Sequence, residues 1–410
     1  MNVLVLNAGS SSQKCSLYRF SDEGPPAEPL DPVWEGAIDF GHSEGQAEIT
    51  VETASGESLR ETLSECDRTA IRKLAVERLL ETLWKGPAQV IDSKSAINAV
   101  GHRVVHGGSQ YREAVLIDER VKAAIRELTP LAPAHNPVNL AGIEIAQALL
   151  KDGCPQFAVF DTAFHRTLPN AAALYPVPQS WIEKGIRRYG FHGISHQYCA
   201  NRAADLLNES VENLRLVICH LGNGCSLSAV KNGQSIDTTM GFTPLDGLMM
   251  GTRSGSVDPG ILIYLMREHG YDHEQLNQQL NKASGLKGVS GLSGDMREIV
   301  SAMQAGNAQA KQAFDVYIHR LRSGIAAMTA SLGGLDGLVF TAGVGEHATV
   351  VRAEACERLG FLGLDVSERK NMERGGDRAI SSAQSKVPIW VIHTREDWQI
   401  ATQCWQFVKD

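Results

Sequence analysis

Short apolar runs alternate along the chain with longer stretches whose apolar positions recur at helical spacing. The short runs predict strands at VLVLNA and, after a Gly/Ser loop, at KCSLYRF. Further strands are expected at AEITVE, INAVGHRVVH, QFAVFDT, LRLVICHL, CSLSAVKNGQSIDT, LDGLVFTAG and VPIWVIHT. Helical spacing marks TAIRKLAVERLLETLWK, NPVNLAGIEIAQALLKD, SHQYCANRAADLL and GILIYLMREH, the stretch from about Gln309 to Leu332, and the last dozen residues. Strands and helices taking turns through both halves predict an α/β class with partly parallel sheets.

One pattern occurs twice. VLVLNAGSSSQKCSLYRF and, two hundred residues later, RLVICHLGNGCSLSAVKNG are each an apolar strand, a polar Gly/Ser loop and a second strand. Asn232-Gly233 supplies a hairpin turn after the second copy. Two such loops on matching hairpins suggest a duplicated unit with a phosphate-facing turn in each half, since closely spaced backbone N–H groups bind anions. Two ordinary β-hairpins fit the loops equally well.

The length of 410 residues fits two domains. With 43% hydrophobic and 21% charged residues, there is apolar material for two cores. The boundary is expected near Asp161, giving domains 1–160 and 161–395, with the terminal helix 396–410 packing back on the first. The net charge of −8 comes without a basic block, which argues against nucleic acid or an anionic membrane as partner. The opening residues lack a basic leader, no apolar run is long enough to cross a bilayer, and the eight cysteines form no C-x-x-C pair. These features predict a cytoplasmic protein with reduced thiols.

Chemistry-bearing residues stand at the ends of the predicted strands. Asn7, Ser10, Ser12 and Lys14 offer donors in the first loop, and Asn223 and Gly224 in the second. A third glycine turn, TAGVGEH, follows a strand and precedes a helical pattern. Arg103 closes an apolar strand, and Arg253 sits in the glycine-rich LDGLMMGTRSGSVDPG. Arginine's planar fork suits carboxylate and phosphoryl oxygens; a structural ion pair is the competing role, weaker for Arg253 because its loop has little apolar packing to order it. His192 and His196 in HGISH have zinc spacing, but there is no glutamate between them and Gly193 speaks against a helical start. His192 reads as a hydrogen-bond donor in a pocket or as a satisfied core histidine. Asp161 and Glu396 each follow a strand, where they can hold Mg2+, polarise a nucleophile or cap the next helix.

Together, VLNAGSSSQK, GHRVVHGG, APAHNPVNL, VFDTAFH, RYGFHGISH, HLGNGCS, DTTMGFTPLDGLMMGTRSGSVDPG, SGDMRE, FTAGVGEH and TREDWQIA resemble the acetate and propionate kinase family, in family order and over essentially the whole chain. The resemblance implies two duplicated actin-like (ribonuclease H-like) α/β domains with a cleft between them, and a homodimer formed through the second, nucleotide-binding domain. It implies reversible transfer of a phosphoryl group from ATP to acetate, directly and in line, with Mg2+ or Mn2+. Asn7 and Glu396 would be the metal determinants. Arg103 and Arg253 would clamp substrate and phosphoryl group, His192 would donate to the phosphoryl oxygens, and Asp161 would orient the acid or its arginine. Val105, Ala134, His135, Phe191 and Pro244 would line the acid pocket. Ser12, Lys14, His220, Gly222, Asn223 and Gly224 would face the phosphates. Asp295, Met296, Arg297, Gly343, Val344, Gly345, Glu346 and His347 would border the adenosine.

Three positions depart from the family pattern. Ala134 replaces a leucine and predicts a roomier acid pocket, more open to propionate, although Val105 keeps acetate as the main substrate. His347 and Arg395 each replace an asparagine. The rivals are a propionate or broader short-chain acid kinase, a sugar kinase, and a non-catalytic actin-like nucleotide switch. The switch needs none of Arg103, His192 and Arg253, and a sugar kinase does not need APAHNP.

Overall fold

The computed structural model describes residues 1–9, 12–41, 45–65, 67–150 and 153–409. Ser10, one of the expected loop donors, lies outside them. The chain divides into two compact units, Met1–Ala163 with Arg395–Asp410, and Phe164–Thr394.

The first unit is built on eight strands: β1 (Asn2–Ala8), β2 (Ser12–Arg19), β3 (Trp34–Asp39), β4 (Gln46–Thr53), β5 (Ser58–Ser64), β6 (Ala99–Val104), β7 (Val115–Leu116) and β8 (Gln156–Phe160). They lie in the order β5-β4-β3-β2-β1-β6-β8-β7. Val3, Leu4, Val5 and Leu6 of β1 are all buried, because both faces of the sheet are covered. Helices Arg68–Glu81 and Asn136–Leu150 share one core with Leu4, Leu6 and Val100. Helix Glu396–Lys409 packs on β1 and β6. Its close approach requires Gly101, where a Cβ would stand 2.4 Å from Ile400 Cγ2.

The second unit holds β9 (Arg215–Leu221), β10 (Cys225–Lys231), β11 (Gln234–Thr238), β12 (Gly337–Thr341), β13 (Arg378–Ala379) and β14 (Ile389–Val391), in the order β11-β10-β9-β12-β14-β13. Helix Ala308–Leu332 packs on β9, β10 and β11, and helix Gly193–Leu207 on β9 and β12. Asn232 (φ 54°) and Gly233 (φ 72°) form the expected two-residue turn, with Lys231 paired to Gln234.

The duplication is visible in the topology. The five-strand sets β3-β2-β1-β6-β8 and β11-β10-β9-β12-β14 have one order and one pattern: antiparallel between the first three, then parallel. Both units are α/β with mixed sheets, as the alternation of patterns predicts.

Two local expectations are corrected. Gly193 does begin a helix, because His192 before it takes the left-handed conformation (φ 59°) and serves as its N-cap. TAGVGEH is not an open turn before a helix: the segment Ala342–His347 is itself helical, entered through Ala342 in the left-handed conformation (φ 64°).

Candidate functional site

Each unit gathers its candidate residues at the carboxyl ends of parallel strands and at the turn of its first hairpin. In the first unit, Arg103 near the end of β6 reaches Asp161, the residue after β8. Its Nε donates to both carboxylate oxygens at 3.1 Å, and Nη2 donates to Oδ2 at 2.6 Å. Nη1 donates to Asn7 Oδ1 at 3.1 Å. Asn7 passes the chain on, its Nδ2 donating to Asp397 Oδ1 at 3.1 Å, while Ser16 Oγ donates to Asp397 Oδ2 at 2.9 Å. Five side chains from β1, β2, β6, the end of β8 and the terminal helix thus form one chain of hydrogen bonds.

Its electrostatics follow from burial and contact. Burial works against the Arg103 charge, but Asp161, Glu396 and Asp397 together hold the guanidinium protonated, above its ordinary pKa. Burial pushes the Asp397 carboxyl up, and the bonds from Ser16 and Asn7 oppose it. Of its five N–H groups, these bonds leave Arg103 one on each terminal nitrogen without a partner among the described residues, suited to a carboxylate or phosphoryl oxygen.

Two asparagines in HNPVN anchor this arrangement. Asn139 Nδ2 donates to Ala8 O at 2.9 Å and its Oδ1 accepts from Val105 N at 3.2 Å, tying the end of β1 to the end of β6. Asn136 exchanges bonds with the backbone of His106 at 3.2 Å. Val105 is buried, Ala134 exposed and His135 half-buried. Ser12 and Lys14 are exposed on β2.

Oxygen-only donors suit a hard cation such as Mg2+, which keeps several waters and takes one or two carboxylates plus substrate phosphates. Glu396 and the Asn7 amide, with Asp397 behind Asn7, meet that description. Among the described residues no three His, Cys, Asp or Glu side chains form a protein cage for a metal, which such a shared site does not need. HGISH is no zinc pair: His196 is fully buried with Nε2 on Ser226. Arg395, beside Glu396, turns instead to Asp31 at 2.7 Å.

In the second unit, His192 Nδ1 lies 2.9 Å from Ser226 Oγ, and its ring stacks on His220 with centroids 4.1 Å apart. His220 Nδ1 is 2.8 Å from Ser195 Oγ, which is 2.9 Å from Thr394 Oγ1. Gly224 of the β9–β10 turn lies so near that a Cβ there would stand 2.6 Å from Arg253 Nη2 and 3.4 Å from His192 Cε1. The turn, the arginine and the histidine predicted separately are therefore neighbours. Arg253 Nη1 donates to Pro244 O at 2.5 Å. Burial pulls the Arg253 pKa down, and among the described residues it has no carboxylate partner.

Around this group, Gly251 N donates to Asn223 O at 3.1 Å. Asp295 caps helix Met296–Gln304 and pairs with exposed Arg297 at 2.5 Å. Gly222 approaches Ala342, 3.9 Å from its would-be Cβ to the Ala342 Cβ. Gly343 and His347 are exposed and Val344 half-buried, while Gly345 and Glu346 are buried. The Glu346 carboxylate is engaged within the unit, by His393 Nδ1 at 2.6 Å and Thr394 N at 3.2 Å. Burial opposes its charge, but these bonds keep its pKa below the usual carboxylate range. Phe191 is buried and Pro244 half-buried.

Ser16, Asp397, Asn136, Asn139, Ser195 and Ser226 were not among the predicted residues. Asp397 carried a signal, a second acid opening an apolar helix. The asparagines carried another, amides on the inner face of a helix that is otherwise apolar. The serines carried none.

The acetokinase family model matches residues 2–402. An acetate kinase of Nostoc punctiforme is 58% identical over 410 residues, all of both chains. The crystal structure of Porphyromonas gingivalis acetate kinase matches with a TM-score of 0.89 at 39% identity, over 99% of each chain. A propionate kinase from Francisella tularensis matches with a TM-score of 0.87 at 35% identity, again over 99% of each.

Proposed function

The chain belongs to the acetokinase family, and from that membership we infer that it is an ATP:acetate phosphotransferase, moving the γ-phosphoryl group of ATP reversibly onto a carboxylate oxygen of acetate. The observation that carries the reading is Arg253: a partly buried guanidinium with no carboxylate partner among the described residues, set against a glycine turn and His192. A desolvated cation of this kind is matched to an anion that arrives with the substrate.

Acetate is already ionised at neutral pH, so attack needs no strong base. An oxygen lone pair of acetate forms the new bond to phosphorus, the bond from phosphorus to the bridging oxygen breaks, and ADP leaves with that electron pair. Bringing anion to anion is the obstacle, and alignment with charge neutralisation overcomes it. The first unit supplies Arg103 for the acid, oriented by Asp161, with Val105, Ala134 and His135 as lining. In the second unit, Arg253 and His192 serve as donors to the phosphoryl oxygens, and Phe191 and Pro244 are its apolar residues with a part in acid selection. His220, Gly222, Asn223 and Gly224, with Ser12 and Lys14 of the first hairpin, serve the phosphates. Asp295, Met296, Arg297 and the segment Gly343–His347 serve the adenosine, Glu346 by holding that segment to His393 and Thr394. Mg2+, when bound, neutralises charge on the β- and γ-phosphates; Asn7 and Glu396 would hold it.

The working molecule is a homodimer in the cytoplasm. Helix Pro259–Glu268 supports the dimer: Ile261, Ile263, Tyr264 and Met266 are 48–57% exposed, an apolar face that a second copy would cover. Seven described cysteines without a disulfide support a reducing compartment. No helix among the described residues is long and apolar enough to cross a membrane.

A hydroxylamine trap with ATP, Mg2+ and a panel of short carboxylic acids tests the activity. Acetohydroxamate is expected as the main product, and the absence of hydroxamate with every acid sinks the assignment.

A further inference from the structure

The two hairpins share more than a shape. In the first, Ser16 of Cys15-Ser16-Leu17 holds Asp397, which in turn holds Asn7. The same tripeptide recurs at Cys225-Ser226-Leu227 on the matching strand β10. There the hydroxyl stands between two imidazoles, 2.9 Å from His192 Nδ1 and 2.8 Å from His196 Nε2. Ser226 and His196 have no exposed surface.

A serine hydroxyl has one proton and two lone pairs; if both imidazoles donated to it, its own buried O–H would be left without an acceptor among the described residues, so this three-membered chain runs in a single direction. In one direction His192 Nδ1–H donates to Ser226, and Ser226 donates to His196 Nε2. The His196 proton then sits on Nδ1, which is buried and without a hydrogen-bond partner among the described residues. Burial, with His165 and His220 nearby, keeps His196 neutral, so it has one N–H to place. An orphaned buried N–H is costlier than a bare ring lone pair. In the other direction His196 Nε2–H donates to Ser226 Oγ, Ser226 donates to His192 Nδ1, and no donor is stranded. The second direction prevails.

We propose that Ser226 is a positioning residue which, with His196, holds the His192 proton on Nε2, so that the ring presents a donor and not a lone pair to the phosphoryl oxygens. The proposal rests on the role given to His192 above. Two further constraints serve the same end: the left-handed backbone at His192 aims the ring, and the stack on His220 fixes its plane.

The test uses the full-length chain labelled with 15N-histidine, without substrates, so its outcome is independent of the hydroxamate assay. His192 resonances are identified by their loss in His192→Gln. The expected pattern is a bare, hydrogen-bonded Nδ1 and a protonated Nε2. In Ser226→Ala the two tautomers mix, and kcat falls about tenfold to a hundredfold with KM for acetate and ATP little changed. His196→Gln, whose Nε2 still donates to Ser226, keeps the wild-type pattern, whereas His196→Leu loses it. A proton on Nδ1 in the wild-type chain overturns the proposal, and so does a Ser226→Ala variant with unchanged pattern and kcat. Failure of the hydroxamate assay alone would overturn the assigned reaction and leave the tautomer result standing.

Discussion

At the scale of single residues, two arginines with the same chemistry are placed in opposite electrostatic settings. Arg103 is forked onto Asp161, which is 1% exposed, so its position is set before any ligand arrives. Arg253 lacks such a partner among the described residues and depends on the space Gly224 leaves it. Gly224→Ala should push the Arg253 head group aside and lower kcat about a hundredfold, since small misplacements at a reacting centre have large effects. The fold should survive, because the displaced atoms end a flexible side chain; wild-type kcat in that variant would contradict the placement. Ala134 decides a smaller matter. Ala134→Leu should raise the acetate-to-propionate ratio of kcat/KM by a factor that corresponds to about 1–3 kcal/mol, the usual worth of a methylene in an apolar pocket. An unchanged ratio would remove Ala134 from the pocket.

At the scale of elements, the strands that position these residues were legible because they are buried on both faces and read as apolar runs. Two strands farther from the site were not. β3 carries Glu35, Gly36 and Asp39, and edge strand β5 (SLRETLS) has no fully buried residue, so neither stands out from its surroundings. The helical start at Gly193 was hidden because His192 adopts a backbone state that favours glycine. Of the candidate site, residues at strand ends were legible, and the hydroxyls and amides that orient them were not, since their role depends on neighbours far away in sequence. Helix Pro259–Glu268 was readable as a helix, but that it buries none of its residues emerges only from the fold. Ile263→Lys should shift the sedimentation mass from dimer toward monomer; a wild-type chain that sediments as a monomer, or a fully dimeric variant, would remove this face as the interface.

At the scale of the whole molecule, both units carry buried neutral histidines. Burial lowers His102, His106 and His165 from 6.5 to about 4, and His196 well below 6.5. Below pH 6.5 the unfolded chain takes up protons at these sites that the folded chain does not, so stability is present above that pH and is lost as pH falls toward about 4. The loss is about 1.4 kcal/mol per histidine per pH unit inside the window. Burial also raises the Glu35, Asp161 and Asp397 carboxyls, which act with the opposite sign as they take up protons; the comparison is made between about pH 7.5 and 5.5, where the histidine window opens. Denaturant unfolding should give a lower midpoint at the acid end, and an equal or higher one would show that these histidines are charged in the folded state.

The central claim is that an oxygen of acetate is the nucleophile that forms the new bond to the phosphorus delivered by ATP. Phosphorus NMR of the reaction of ATP and Mg2+ with doubly oxygen-18-labelled acetate reads this in one experiment. The account predicts acetyl phosphate and ADP appearing together, with the acetyl phosphate signal shifted by oxygen-18 in the bridging position. Acetyl phosphate without label on phosphorus, or no acetyl phosphate at all, would contradict it.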